Sequence, residues 1–219
     1  MIALCETRLN DNISTLYRIS SYNAFFQNKN TAGGGLAVYL HTKYHGRVLQ
    51  DISFQVPHIE SLFLEVTGAH HFIIGVIYRP PNANIHDFLK AIDDALEVIT
   101  SRRTLPCYLV GDFNLNLLRC NENYVGDFIN LLYSYLLLPT ITKPTRVTSI
   151  SASIIDHIWT NDPKNYQTSD IIYTLVSDHF PVASFTVPVN NTLLHSQVAI
   201  KRTTYNNGSV TAFKKYLID

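Results

Sequence analysis

Several polar side chains in this 219-residue chain stand where hydrophobic neighbours make them expensive. Asp112 follows the strand-like run Leu105–Val110 and Gly111, and Asn114 comes two residues later. Asp156 lies inside Ser153–Trp159, a run of mostly β-branched and aromatic residues, and Asp is depleted in strands and costly to bury unless paired. Ser177-Asp178-His179-Phe180-Pro181 sets an acid next to an imidazole between two strand-like stretches. Glu6 closes the apolar Ile2–Cys5, and Tyr78 closes Phe72–Tyr78 just before Arg79-Pro80-Pro81. Singly, each has an ordinary explanation. Asp112 and Asp178 fit turns, Glu6 fits a surface charge, and a lone histidine is more often structural than catalytic. Jointly, carboxylates, an imidazole, a carboxamide and a phenol delivered to strand ends suit metal-assisted hydrolysis of a phosphodiester.

The physics of that reaction accounts for the residue types. A phosphodiester is anionic, so attack on it needs a divalent cation to screen the charge, and hard Mg²⁺ prefers carboxylates and water to thiolates. An Asp can accept a proton from the attacking water, and a neighbouring Asn can orient that water. A His beside a buried Asp is biased towards its cationic form and so towards a phosphate.

The elements that must hold these groups are mostly short strands. Strand signals run through Tyr22–Phe26, Leu36–Leu40, Arg47–Ile52, Ser61–Thr67 and Phe72–Tyr78. Gly33-Gly34-Gly35 lacks the Lys-Ser/Thr of a phosphate-binding loop and reads as a tight turn into a strand. Asn84 opens a helix whose apolar face is Phe88, Ile92, Ala95, Leu96 and Ile99, with Asp87 resembling a capping-box partner. A second helix is expected over Tyr124–Leu137, burying Phe128, Leu131, Leu132 and Tyr135. Further strands are expected at Thr140–Thr142, Arg146–Ser149, Ser153–Trp159, Ile171–Val176 and Val182–Val187. The chain after Pro188 turns polar, and Ser209–Leu217 suits a short amphipathic helix. Strand run, helix, strand, helix, strand run points to two packed sheets flanked by helices.

Composition narrows the partners. Hydrophobic residues make up 46%, enough for a large core, and 17 basic against 17 acidic residues leave no overall basic field for nucleic acid. DNA binding would therefore rest on a local patch. Three cysteines without a C-x-x-C pair argue against a disulfide framework and for a reducing, intracellular setting. No stretch is long and apolar enough to span a bilayer, so no membrane partner is expected.

Glu6-Thr7, Gly33–Leu40, Tyr78-Arg79-Pro80-Pro81, Gly111-Asp112-Phe113-Asn114, Pro144-Thr145-Arg146, Ser153-x-x-Asp156-His157-Ile158 and Ser177-Asp178-His179 occur in a telling order. In that order the chain resembles the endonuclease/exonuclease/phosphatase superfamily, and its wording is most similar to the endonuclease domain of non-LTR retrotransposons, relatives of the apurinic/apyrimidinic endonucleases. The resemblance covers about Ile2 to Val187. It implies an α/β fold, a four-layer DNase I-like sandwich of two mixed sheets flanked by helices, over residues 1–188. Residues 189–219 would then be a linker towards a reverse transcriptase. It also implies Mg²⁺-dependent (or Mn²⁺-dependent) nicking of double-stranded DNA, in the nucleus, leaving a 3′-hydroxyl primer.

Residue by residue, the resemblance makes Glu6 a metal ligand and Asp178 a group of the metal region, with Asp112 activating or positioning water. Asn114 would hold the phosphate and water, Tyr78 would hydrogen-bond a phosphate oxygen or the leaving group, and Asp156 would orient His179 against the phosphate. Arg79, Thr145, Arg146 and Ser153 would line the DNA groove. Two departures stand out. Relatives carry a metal-site Asn on a strand upstream of the Glu, so the first strand is expected to be missing here, leaving an open sheet edge prone to aggregation. Ile154 also occupies the place of an Arg in many relatives. The competing expectations are a catalytically dead or truncated remnant that keeps the fold, and a phosphatase of the same superfamily.

Overall fold

The computed structural model describes residues 1–29, 33–54, 56–102, 105–174 and 176–186. The tail 189–219, with the helix expected at Ser209–Leu217, lies outside the described residues. In chain order the strands begin with β1 (Ile2–Cys5), β2 (Tyr22–Gln27), β3 (Leu36–His41), β4 (His45–Val48), β5 (Glu60–Thr67) and β6 (Phe72–Tyr78). Helix α1 (Ile85–Arg102), strand β7 (Cys107–Asp112) and helix α2 (Asn123–Ser134) follow. The remaining strands are β8 (Leu138–Pro139), β9 (Arg146–Val147), β10 (Ala152–Ser153), β11 (Asp156–Thr160), β12 (Tyr166–Ile171) and β13 (Val182–Thr186).

A six-stranded sheet in the order β4-β5-β6-β7-β11-β8 is the frame of this α/β sandwich. It is mixed, because β6 and β7 run parallel, joined through α1, while the neighbouring pairs are antiparallel. Its two faces follow from side-chain alternation along each strand. On one face Phe63, Ile73, Ile77, Cys107, Leu109 and Trp159 pack against Phe88, Ile92, Leu96 and Ile99 of α1 and Phe128 and Leu132 of α2. On the other, Leu62, Leu64, Val66, Ile74, Val76 and Tyr78 pack against Leu36, Val38 and Leu40 of β3, the central strand of the sheet β1-β3-β2. A third cluster joins Ile154 and Ile158 to Ile171 and Val182 of the β12–β13 ribbon. A central strand buried on both faces must be apolar throughout, which is why β6 reads as a nearly unbroken hydrophobic run.

The helices form as their sequences dictate. The Asn84 carboxamide oxygen accepts the N–H groups of His86 at 2.8 Å and Asp87 at 3.3 Å, capping α1, whose expected apolar face is entirely buried. Truncating a fully buried aromatic such as Phe88 to Ala would cost about 3–5 kcal/mol. Helix α2 buries Phe128 and Leu132 and half-buries Leu131 and Tyr135, and it stops at Ser134 just before Leu136 enters the left-handed region at φ +60°.

Several strand boundaries differ from the sequence expectation. Gln50–Ile52 forms a single helical turn rather than extending a strand, and β12 falls at Tyr166–Ile171, before the apolar stretch that suggests a strand. The polar run Tyr-Gln-Thr-Ser-Asp pairs only with β13, in a two-stranded ribbon where a strand need not be apolar. Ser153–Trp159 is two strands, not one, because Ile154 and Ile155 hand the chain from the β9–β10 hairpin to the main sheet. Among the described residues, no helix is long and apolar enough to cross a membrane.

Candidate active site

One row across the six-stranded sheet gathers candidate site residues. Register pairs Glu60 of β5 with Tyr78 of β6, Tyr78 with Asp112 of β7, and Asp112 with Asp156 of β11. Parallel β6 and β7 end on this row, while antiparallel β5 and β11 begin on it, so four polar side chains gather at one rim of the sheet. Gly111 lies within β7, one residue before its end. At φ +135° its absent Cβ would stand 2.0 Å from the Ile77 carbonyl oxygen, so only glycine lets β7 close on β6 with Asp112 as its last residue.

Asp112, Asp156 and His179 converge, their ligand atoms all within 4.8 Å of one another. His179 arrives through a short β-bridge to Arg146, reinforced by the Phe180 N–H donating to the Thr145 carbonyl at 2.6 Å. Its Nδ1 lies 3.0 Å from Asp156 Oδ2 and 3.1 Å from Oδ1. That hydrogen bond raises the imidazole above its ordinary range, although burial opposes it. Asp156 is itself held: the Thr145 hydroxyl donates to Oδ2 at 2.6 Å and accepts from the backbone N–H of Ile155 and Asp156, both at 3.2 Å.

Asp112 is only 8% exposed, and burial, then the charge of Asp156, pushes its carboxyl up to about 7. The Asn114 N–H, donating to Asp112 Oδ1 at 3.0 Å, works in the opposite direction. Asn114 sits in the left-handed region at φ +48°, a conformation that Asn tolerates better than most residues. Its side-chain amide donates to the Arg79 carbonyl at 2.9 Å. Tyr78 is buried, and burial together with the adjacent Glu6 carboxylate raises its phenol, so Tyr78 is a hydrogen-bond donor at any working pH. Glu6 follows β1 at φ +52° and lies at the edge of this group, outside the converging trio, 3.5 Å from Arg8 Nη2.

Two expectations are corrected by burial. Thr145 is 0% exposed, and its hydroxyl is spent on Asp156 and two backbone amides, so it cannot line a DNA groove; it positions Asp156. Arg79 is 6% exposed. Its guanidinium donates to the Ala83 carbonyl at 2.7 Å and the Asn114 carbonyl at 3.4 Å, and it lies over the Phe88 ring at 5.7 Å. It ties together the loops after β6 and β7 and is not available to a phosphate. Arg146 is exposed at the rim, where its Nε and Nη2 donate to Asp178 Oδ2 at 2.9 and 2.6 Å. That bond lowers the Asp178 carboxyl and places Asp178 beside Arg146 rather than in the converging trio. Ser153 pairs with Arg146 across the β9–β10 hairpin and is half-buried. Glu60 is a member of the row that sequence reasoning misses. Its one signal is an acid opening an apolar strand, the same pattern as the others in mirror image.

The donor set fits a hard divalent cation. Among the described residues, Asp112, Asp156 and His179 bring two carboxylates and an imidazole close enough to share one ion, with the Glu6 carboxylate near enough to act on Asp112; burial, then the charge of Asp156, raises Asp112, and a cation would relieve that charge. Cys5, the nearby soft candidate, is pushed up to about 12 by burial, and its thiol donates to the Ile77 carbonyl.

A family model described as endonuclease-reverse transcriptase matches residues 72–183. No curated protein matches the chain. Among solved structures, the endonuclease domain of TRAS1, a telomere-specific non-LTR retrotransposon, is similar at 16% identity and a TM-score of 0.60, over 77% of this chain and 81% of that one. The 3′-5′ exonuclease NExo of Neisseria meningitidis is similar at 13% identity and TM-score 0.63, over 84% and 88%. A mannosyl-6-phosphatase of Bacteroides thetaiotaomicron is similar at 14% identity and TM-score 0.55, over 77% and 78%. At these identities the likeness is one of fold.

Proposed function

Because this chain belongs to the endonuclease–reverse transcriptase family of the endonuclease/exonuclease/phosphatase superfamily, we propose that it is the metal-dependent endonuclease domain of a retroelement. In this reading it hydrolyses one phosphodiester of double-stranded DNA and leaves a 3′-hydroxyl from which a reverse transcriptase, joined through residues 189–219, primes synthesis. The observation that carries the reading is the Asp112–Asp156–His179 convergence at the rim of the sheet.

Glu6 would hold Mg²⁺ or Mn²⁺ beside these rim carboxylates, and the bound cation would screen the phosphate charge and make phosphorus more open to attack. Asp112, held at the end of β7 by the Asn114 N–H, takes the proton of the attacking water. Asn114 holds that water and the phosphate in line. Asp156, fixed by Thr145, keeps the His179 Nδ1–H engaged and favours the cationic ring, leaving Nε2–H to donate to a phosphate oxygen. Tyr78, which stays protonated, donates to the phosphate or leaving oxygen. Arg146 reaches the backbone of bound DNA once it is released from Asp178.

The end chemistry of the product tests this reading. Supercoiled plasmid incubated with the protein and Mg²⁺ should become open circles whose nicks a DNA polymerase extends without prior repair. Nicks that need a 3′-phosphatase first, or release of phosphate from monoesters with plasmid left intact, would replace the endonuclease with a different member of the superfamily.

A further inference from the structure

Glu60 is 6% exposed and lies opposite Tyr78 at one end of the polar row. A buried carboxylate is costly unless its oxygens are engaged, and both are. Oε2 accepts the Gly35 N–H at 2.6 Å, and Oε1 accepts Lys29 Nζ at 2.9 Å. The glycine turn so gripped holds the segment after β1: the Arg8 N–H donates to the Gly34 carbonyl at 2.8 Å and the Thr7 N–H to the Gly35 carbonyl at 3.1 Å. No Cβ fits in this assembly. At Gly34 one would stand 2.1 Å from Glu60 Oε1, and at Gly35 one would stand 2.5 Å from Thr7 Oγ1. Glu6 and Arg8 flank the grip in the left-handed region at φ +52° and +55°, conformations that persist only where surrounding contacts over-determine them.

We infer that Glu60 is a positioning residue for Glu6: through the Gly34–Gly35 turn it fixes the backbone that aims the Glu6 carboxylate at the cation beside Tyr78. The inference rests on the reading of Glu6 as a cation ligand. What matters in it is reach, since the carboxylate must extend to the Gly35 N–H, and its own charge is spent on Lys29.

Reach and charge separate in two conservative variants. Glu60→Gln keeps the length and an oxygen for Gly35 but loses the charge, whereas Glu60→Asp keeps the charge and falls one methylene short. Mn²⁺ binding to the folded full chain, measured by electron paramagnetic resonance of the free ion, reads the cation site without turnover, and thermal melts show that each variant folds. Glu60→Asp should weaken Mn²⁺ about tenfold, the usual scale for a lost outer support, and Glu60→Gln should stay within about twofold of wild type. Glu6→Gln should weaken it at least as much as Glu60→Asp, and the double variant Glu6→Gln, Glu60→Asp no further. Unchanged affinity in Glu60→Asp, or a larger loss in Glu60→Gln, overturns the inference while the effect of Glu6→Gln stands. Unchanged affinity in Glu6→Gln instead overturns the ligand reading on which it rests.

Discussion

Replacing Asp112 by Asn should make the protein more stable while removing its chemistry, and the size of the gain follows from burial. Raising a carboxyl from 3.8 to about 7 corresponds to roughly 4 kcal/mol in favour of the neutral acid. The unfolded chain has no such preference. A group whose folded pKa is raised stabilises the fold while both states are protonated, so the contribution of Asp112 is present below about pH 4 and is lost as pH rises through about 7. Asn carries no charge at any pH and can still accept the Asn114 N–H. The stability of Asp112→Asn relative to wild type should therefore be near zero below about pH 4 and climb to a plateau of no more than about 4 kcal/mol above pH 7. Urea unfolding in the presence of chelator across this range measures the difference, and for a chain of this size each kcal/mol moves the melting temperature by about 2–4 °C. Added Mg²⁺ should then stabilise wild type more than the variant, narrowing the gap. A variant no more stable than wild type above pH 7, or a difference that ignores pH, would refute the account of a strained, buried carboxylate.

The rest of the site gives sharper local tests. Thr145→Val keeps the shape of a fully buried side chain but strips Asp156 of a donor and two amides of an acceptor. It should cost about 1–3 kcal/mol and slow nicking by about ten- to hundredfold through misplacement of His179; a rate equal to wild type would remove Thr145 from the positioning chain. Asp156→Asn should lower the His179 pKa in an NMR titration, since the bond that contributes most to raising it is gone, and an unchanged midpoint contradicts the pairing. Arg146→Ala should lessen the log–log salt slope of DNA binding by about 0.9, the share of a single neutralised phosphate. Arg79→Ala should leave the slope alone and lower stability by about 2 kcal/mol or more, because its partners are carbonyls and a ring; the opposite pattern would restore Arg79 to the groove.

The strands and the converging trio are legible in the sequence for a common reason. A carboxylate amid β-branched residues, as at Asp156, is costly enough to be visible in one dimension, and so is Asp112 behind its glycine. The helical face of α1 is equally plain from its spacing. What does not show is direction. Arg79 and Thr145 have the composition of a polar groove, yet both turn inward, where Arg79 supplies donors to the loops after β6 and β7 and the Thr145 hydroxyl accepts from the peptide N–H groups of Ile155 and Asp156. Glu60 is hidden because it opens its strand instead of closing it, and only the antiparallel pairing of β5 with β6 carries it to the same rim as Tyr78. The residue type of Gly111 suggests a turn; its real constraint is the approach of the carbonyl of Ile77, on a strand that lies a whole helix earlier in the chain.

The claim that the Asp112–Asp156–His179 convergence is a cation-assisted nuclease centre meets its most direct test in the nicking of supercoiled plasmid, by wild type with Mg²⁺, by wild type with chelator, and by folded Asp112→Asn and His179→Ala. Open circles should accumulate only in the first reaction, with each of the others slower by about a hundredfold or more. Nicking that persists in chelator, or in both variants at the wild-type rate, would place the chemistry elsewhere in the molecule.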